Sequence, residues 1–264
     1  MGRIEETFTK LKSNNDKALI TYIMAGDPDL QTTESLIQVI ARAGADILEL
    51  GVPFSDPIAD GPTIQRASDR ALNSRTTLKK VMSLVKSVRK KVAVPIIVMT
   101  YYNIILQYGL KRFTADAALS GIDGAIIPDL PPEEAVEFIS YARESGLDTV
   151  FLLAPTSTEE RIKKVTAAST GFVYYVSMTG ITGAKLANLS EIKNMIPDIQ
   201  EHTDLPVAVG FGISRPEEAR KISRWADGVI VGSALVRLIE ESRGKKQMLS
   251  KVDKFISSLK EALG

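Results

Sequence analysis

Short apolar runs alternate along the chain with longer stretches in which apolar residues return every three or four positions. The short runs read as strands buried on both faces, and the longer stretches as amphipathic helices. The first strand spans 18–25 and ends at the turn Gly26-Asp27-Pro28. A helix with Leu36, Ile37, Ile40 and Ala41 on one face follows and stops at Gly44. The second strand opens at Asp46 and breaks into a Gly/Pro-rich loop at Gly51-Val52-Pro53. Leu78, Val81, Met82, Val85 and Val88 mark the clearest helix. Further strands are expected over 94–101, 124–128, 148–154, 171–177, 206–209 and 228–231. Between them, Pro131-Pro132-Glu133-Glu134 opens a helix with Ala135, Val136, Ile139 and Ala142 inward. Others cover 159–168, carry Leu189, Ile192, Met195, Ile196 and Ile199, and start from Pro216. The last buries Leu249, Val252, Phe255, Ile256 and Leu259. A short amphipathic helix closing over 7–11 precedes the first strand.

Eight strands alternating with helices and no interposed linker indicate an α/β fold, a (β/α)8 TIM barrel with an extra N-terminal helix. The expectation is one catalytic domain over 1–264, a length that such barrels often fill. An open doubly wound sheet is the alternative, but no Gly-x-Gly-x-x-Gly follows the first strand. A weak repeat supports the reading. Helices end in Gly-x-Asp just before a strand at Gly44-Ala45-Asp46, Gly121-Ile122-Asp123 and Gly146-Leu147-Asp148, with a variant at Trp225-Ala226-Asp227. Trp225 itself reads as helix-to-strand packing.

Composition removes several chemistries. Lys+Arg 33 against Asp+Glu 32 leaves a net charge of +1, no footprint for nucleic acid or an anionic membrane. Cys is absent, which excludes disulfides, Fe–S clusters and thiolate zinc sites. The single histidine, His202, precedes the seventh strand and cannot make a histidine-based metal site alone, so no metal is expected. No Lys lies in a predicted strand, against a Schiff-base aldolase. The N-terminus shows no apolar signal region and the longest apolar run is too short to span a bilayer, giving an expected cytoplasmic protein.

Carboxylates remain. In a barrel, catalytic groups sit at the C-terminal ends of strands and residues at strand starts are mostly structural. Asp46, Asp123, Asp148 and Asp227 open strands and are assigned to stability. Glu49, Asp56, Asp60 and Asp129 lie at or beyond strand ends and remain candidates. Glu49 interrupts an apolar strand at a desolvation cost, and the registers aim it among Tyr22, Met99, Ile126 and Tyr174. It is either a proton donor whose pKa burial raises, or a buried Glu satisfied by a tyrosine hydroxyl. Asp60 is either a second catalytic carboxylate or a turn former. Gly210-Phe211-Gly212-Ile213-Ser214 and Gly232-Ser233, after the last two strands, stand where barrels bind phosphate. Gly183 could add an N–H, and tight turns without ligand are the alternative. The apolar run Tyr101-Tyr102-Asn103-Ile104-Ile105-Leu106 is either a buried extra helix or a partner surface at the rim.

The stretch Leu48-Glu-Leu-Gly-Val-Pro-Phe-Ser-Asp-Pro-Ile-Ala-Asp-Gly-Pro-Thr-Ile-Gln65 resembles the signature of the tryptophan synthase alpha chain family. Gly180-Ile-Thr-Gly183, Gly210-Phe-Gly-Ile-Ser214 and Gly232-Ser233 extend the likeness over nearly the whole chain. The resemblance implies retro-aldol cleavage of indole-3-glycerol phosphate to indole and glyceraldehyde 3-phosphate, without a cofactor. It implies that Glu49 is the acid for indole C3 and that Asp60 stabilises charge at the indole N–H. By the same likeness, Tyr22, Met99, Ile126, Tyr174, Thr182 and Phe211 bind substrate, and Gly183, Gly212, Gly232 and Ser233 hold its phosphate. Asp56, Asn103 and Asp129 then face a pyridoxal-phosphate beta chain in an α2β2 heterotetramer. Tyr22 departs from a Phe common in the family, and Met178 varies a loop position.

Overall fold

Nine strands are present among the residues that the computed structural model describes, 2–177, 189–210 and 212–264. They are β1 (Ala18–Met24), β2 (Ile47–Gly51), β3 (Ile96–Met99), β4 (Gly124–Ile126), β5 (Asp148–Val150), β6 (Leu152–Leu153), β7 (Val173–Val176), β8 (Val207–Gly210) and β9 (Gly228–Val231). All pair in parallel in one sheet of order β5-β4-β3-β2-β1-β9-β8-β7-β6. Only Phe151 separates β5 from β6, so the two ends of the sheet are one stretch of chain. The sheet therefore closes on itself as the expected barrel, and the open doubly wound alternative is excluded.

The helices are α1 (Arg3–Ser13), α2 (Leu30–Arg42), α3 (Pro62–Asn73), α4 (Leu78–Val88), α5 (Tyr102–Tyr108), α6 (Leu110–Ser120), α7 (Val136–Ser145), α8 (Glu159–Ala168), α9 (Leu189–Gln200), α10 (Pro216–Ile222), α11 (Ser233–Glu240) and α12 (Lys245–Glu261). Alternation along each strand splits the core in two. Leu19, Ile23, Leu48 and Leu50 point outward against Leu36, Ile40 and Val85 of the helical ring. Ile20, Ile47, Ile97, Ile126, Phe172 and Ile230 fill the interior, where α1 packs Ile4, Phe8 and Leu11 against the strand starts. The extra helix thus plugs the bottom of the barrel and leaves the top open. Among the described residues no helix is long and apolar enough to cross a membrane.

Several expected boundaries shift. The predicted strand over 94–101 shortens to β3, because Tyr101 already serves as the N-cap of α5. The strands expected over 124–128, 148–154 and 171–177 are likewise shorter, and the one over 206–209 is displaced by a residue to Val207–Gly210. The Pro131–Glu134 stretch forms turns, with Glu134 N–H donating to Pro131 O and Ala135 N–H to Pro132 O. The helix therefore begins at Val136, with Ala135, Ile139 and Ala142 inward as expected. Val136, expected inward, is 71 % exposed, while Phe138 and Ala142 are buried. Two helices carried too weak a pattern to be read. The inner face of α3 is Ile64, Ala67 and Ala71, and that of α6 includes Thr114 and Ala117, so small or polar residues blunt the periodicity. Leu249 and Phe255 of α12 are only partly buried; Met248 takes the inner position.

The strand-opening aspartates are structural, as expected. Asp46 Oδ2 accepts the Leu19 amide and the Lys260 ammonium, each within 2.8 Å. Asp123 accepts the Ile96 amide at 2.7 Å and pairs with Arg3 and Arg89. Asp227 Oδ2 accepts the Val207 amide at 3.0 Å. Each of these three carboxylates ties the foot of one strand to an N–H of the adjacent strand, whereas Asp148 Oδ1 accepts the Thr170 hydroxyl at 2.8 Å. Gly121 and Gly146 end their helices in the left-handed conformation, φ +85° and +69°, that glycine adopts without a Cβ penalty.

Candidate active site

Glu49 points into the barrel two residues before the C-terminal end of β2, opposite Tyr22 of β1 and Ile97 of β3. It is 0 % exposed, and neither carboxylate oxygen meets a hydrogen-bond partner among the described residues. Burial alone pushes its pKa up to about 8, so the carboxyl holds its proton at neutral pH. Of the two readings open from sequence, the tyrosine-satisfied Glu is excluded. Tyr22 and Tyr174 stand near enough for the Glu49 charge to act on both phenols, yet neither hydroxyl bonds it.

Glycines make room for those rings. A Cβ on Gly51 would overlap the Tyr22 hydroxyl, and one on Gly210 would overlap Tyr174. Met99 pairs with Gly51 on one side and Ile126 on the other, one layer above Glu49. Tyr22, Met99, Ile126 and Tyr174 thus line the interior as the registers suggested.

The loop from β2 to α3 carries the second carboxylate. Phe54 is fixed by Ser68 of α3, whose hydroxyl accepts the Phe54 amide at 3.0 Å and donates to its carbonyl at 2.9 Å. The loop then turns back over the end of β3. Here Tyr101 Oη donates to Asp60 Oδ2 at 3.1 Å and accepts the Ala59 amide at 3.1 Å, while its ring lies 5.1 Å from Phe54. Burial raises the Asp60 pKa to about 6, with the Tyr101 bond opposing that rise, so Asp60 is mostly ionised at pH 7. The surroundings of the two carboxyl groups therefore favour opposite protonation states at neutral pH. Tyr101, read from sequence only as the start of an apolar run, is the anchor of Asp60; its place at a strand end next to the acidic loop was the available signal.

On the other side of β1 from β2, β9 runs into Gly232, and Ser233 opens α11 with no side-chain cap. Such an uncapped helix start offers N–H groups to an anion. Gly232 abuts the aromatic pocket, since a Cβ there would come to 3.4 Å of Tyr22 Cβ. Gly212, beyond β8, has φ +79°, a conformation that suits glycine. Asp56, Asn103 and Asp129 are all exposed at the rim, and Asp129 Oδ1 accepts the Tyr102 amide at the start of α5 at 2.9 Å. In the apolar run before Tyr108, Ile105 is buried and Leu106 is 53 % exposed, so the extra helix is buried on one side only. Met178, Thr182, Gly183 and Phe211 lie outside the described residues.

The model of the family described as tryptophan synthase alpha chain matches residues 8–264. The tryptophan synthase alpha chain of Geotalea daltonii is 54 % identical over 263 residues, covering 100 % of this chain and 99 % of its own. That of Geobacter sulfurreducens is 53 % identical over 264 residues, covering 100 % of both. The crystal structure of tryptophan synthase subunit alpha from Legionella pneumophila superposes with a TM-score of 0.92 at 41 % identity, over 100 % of this chain and 98 % of that one. A structure of Mycobacterium tuberculosis tryptophan synthase gives 0.91 at 36 % identity, over 99 % and 98 %. With Glu49 buried inside a closed parallel barrel, Asp60 on the loop that leaves the same strand and this full-length likeness, the chain belongs to the tryptophan synthase alpha chain family.

Proposed function

We propose that this lyase, which splits indole-3-glycerol phosphate into indole and glyceraldehyde 3-phosphate, does so with Glu49 and Asp60 as its two catalytic groups. The observation that carries the assignment is Glu49 itself, fully buried inside the barrel, with neither oxygen partnered among the described residues and its pKa pushed up to about 8. Glu49 delivers that proton to indole C3, and the ring nitrogen takes up the positive charge. Asp60, ionised, accepts the indole N–H and stabilises that charge. The Glu49 carboxylate then removes the glyceryl hydroxyl proton. The carbonyl forms, the carbon–carbon bond breaks, and its electron pair returns to the ring as indole. Glu49 ends protonated as it began. Tyr22, Met99, Ile126 and Tyr174 wall the indole, with Thr182 and Phe211 completing the substrate contacts. Gly183, Gly212, Gly232 and Ser233 hold the phosphate.

The chain acts as one catalytic domain over 1–264, in the cytoplasm, and as the alpha subunit of an α2β2 assembly with a tryptophan synthase beta chain. Ile58, 84 % exposed in the loop that carries Asp56, supports that partner surface, as does Leu106 beside Asn103 and Asp129. Indole release from indole-3-glycerol phosphate tests the assignment. Glu49→Gln should lower kcat by roughly a thousand-fold or more with KM nearly unchanged, as expected for a group acting in the transition state. Near-normal turnover would remove Glu49 from the reaction.

A further inference from the structure

Asp27, Arg70 and Glu240 form an ion-pair chain that the reaction itself does not use. Arg70 Nε and Nη2 donate to the two oxygens of Asp27 at 2.7 and 2.8 Å, and its Nη1 donates to Glu240 Oε1 at 2.8 Å. Arg66, one turn earlier on α3, grips Glu240 with two further bonds of 2.8 Å. Asp27 is almost fully buried in the β1–α2 turn, and Arg70 is about one-third exposed. The same turn is stitched to the end of α3 by Ser74, whose hydroxyl donates to Gly26 O at 2.9 Å.

Placement gives the chain its meaning. Helix α3 leaves directly from the Asp60 loop, and α11 begins at Ser233 and ends at Glu240. Their facing residues, Ile64, Ala67, Ala71 and Val236, pack together on Tyr22 and Met24. Small residues such as Ala67 and Ala71 allow close approach but give little resistance to sliding. Directional bonds from a planar guanidinium fix such a slide where alanine packing does not.

We propose that Arg70, through Asp27 and Glu240, is a positioning residue that sets the distance between the Asp60 end of the active site and the α11 phosphate end. This rests on the catalytic reading above. Glu240 anchors α11 about 10 Å along its axis from Ser233, given the rise of a helix. A shift of the anchored end moves the phosphate turn relative to Asp60 without altering either half-site locally.

The experiment compares intact substrate with its two halves in the full-length chain. In Arg70→Met, KM for indole-3-glycerol phosphate should rise and kcat fall, each by roughly ten-fold, a loss of positioning energy across one substrate. Competitive inhibition by inorganic phosphate and binding of indole should each stay within about two-fold, because each half-site remains intact. Arg70→Lys, with a point charge instead of a fork, should fall between wild type and Arg70→Met. Glu240→Gln, a milder change that keeps an acceptor, should move KM in the same direction. Unchanged kinetics in Arg70→Met, or a loss of inorganic phosphate binding as large as the rise in KM, would overturn the proposal. Wild type and Glu49→Gln run alongside: a wild type that releases no indole defeats the catalytic reading, not the clamp.

Discussion

The Tyr101 hydroxyl reaches Asp60 Oδ2 at 3.1 Å from the end of the neighbouring strand, and thereby holds a loop carboxylate over the barrel mouth. That single phenol also takes the Ala59 amide, so two successive loop residues depend on it. Tyr101→Phe removes both bonds and keeps the ring on Phe54. The expected result is a loss of about ten-fold in kcat/KM, the order of one hydrogen bond to a charged group. Because the Tyr101 bond lowers the Asp60 pKa, its removal should also move the acidic limb of the pH profile upward. Steady-state kinetics across pH checks both effects.

The wild-type profile itself follows from the two carboxyls. Asp60 must be ionised and titrates near 6, whereas Glu49 must be protonated and titrates near 8. A plot of kcat/KM against pH should therefore be bell-shaped, falling below the first value and above the second. In Asp60→Asn the acidic limb should vanish along with most activity. A basic limb unaffected by any change at Glu49 would contradict the assignment of the proton donor.

Glu49 also makes stability depend on pH, with a sign opposite to that of a salt-bridged acid. Its folded pKa, about 8, lies above the unfolded value of 4.5, so the folded state binds the extra proton between them. Stability is unaffected below the unfolded value, declines as pH rises through this window and levels off above it. The full penalty is on the order of 5 kcal/mol. Glu49→Gln removes it. Chemical denaturation should find the variant little changed at pH 5 and clearly more stable than wild type at pH 8.

At the other end of the barrel the same residue type plays a different part. Asp123 joins Arg3, the largely buried Arg89 and the Ile96 amide below the strands. Asp123→Ala leaves Arg89 without its carboxylate, which should destabilise the fold by roughly 3–5 kcal/mol. Turnover by the folded fraction at 25 °C should remain within about two-fold of wild type, since the change lies at the foot of the strands. Denaturation and kinetics on one preparation separate the two.

The chain's apolar rhythm alone determined the barrel, because each strand is buried on both faces and each helix on one. It placed Glu49 among Tyr22, Met99, Ile126 and Tyr174 through period-two alternation. It also sorted Asp46, Asp123, Asp148 and Asp227 from the acids at strand ends. Local rhythm was silent where small residues do the packing, as on α3 with Ala67 and Ala71, and on α7 it turned Val136 inward where the fold exposes it. The protonation states of Glu49 and Asp60 were beyond it altogether. They depend on what surrounds each carboxyl in space: no partner among the described residues for Glu49, and for Asp60 a phenol forty-one positions away. The fork of Arg70 onto Asp27 and Glu240 likewise spans three elements distant in sequence. Desolvation and hydrogen bonding are properties of the assembled neighbourhood, so only the closed barrel could decide them.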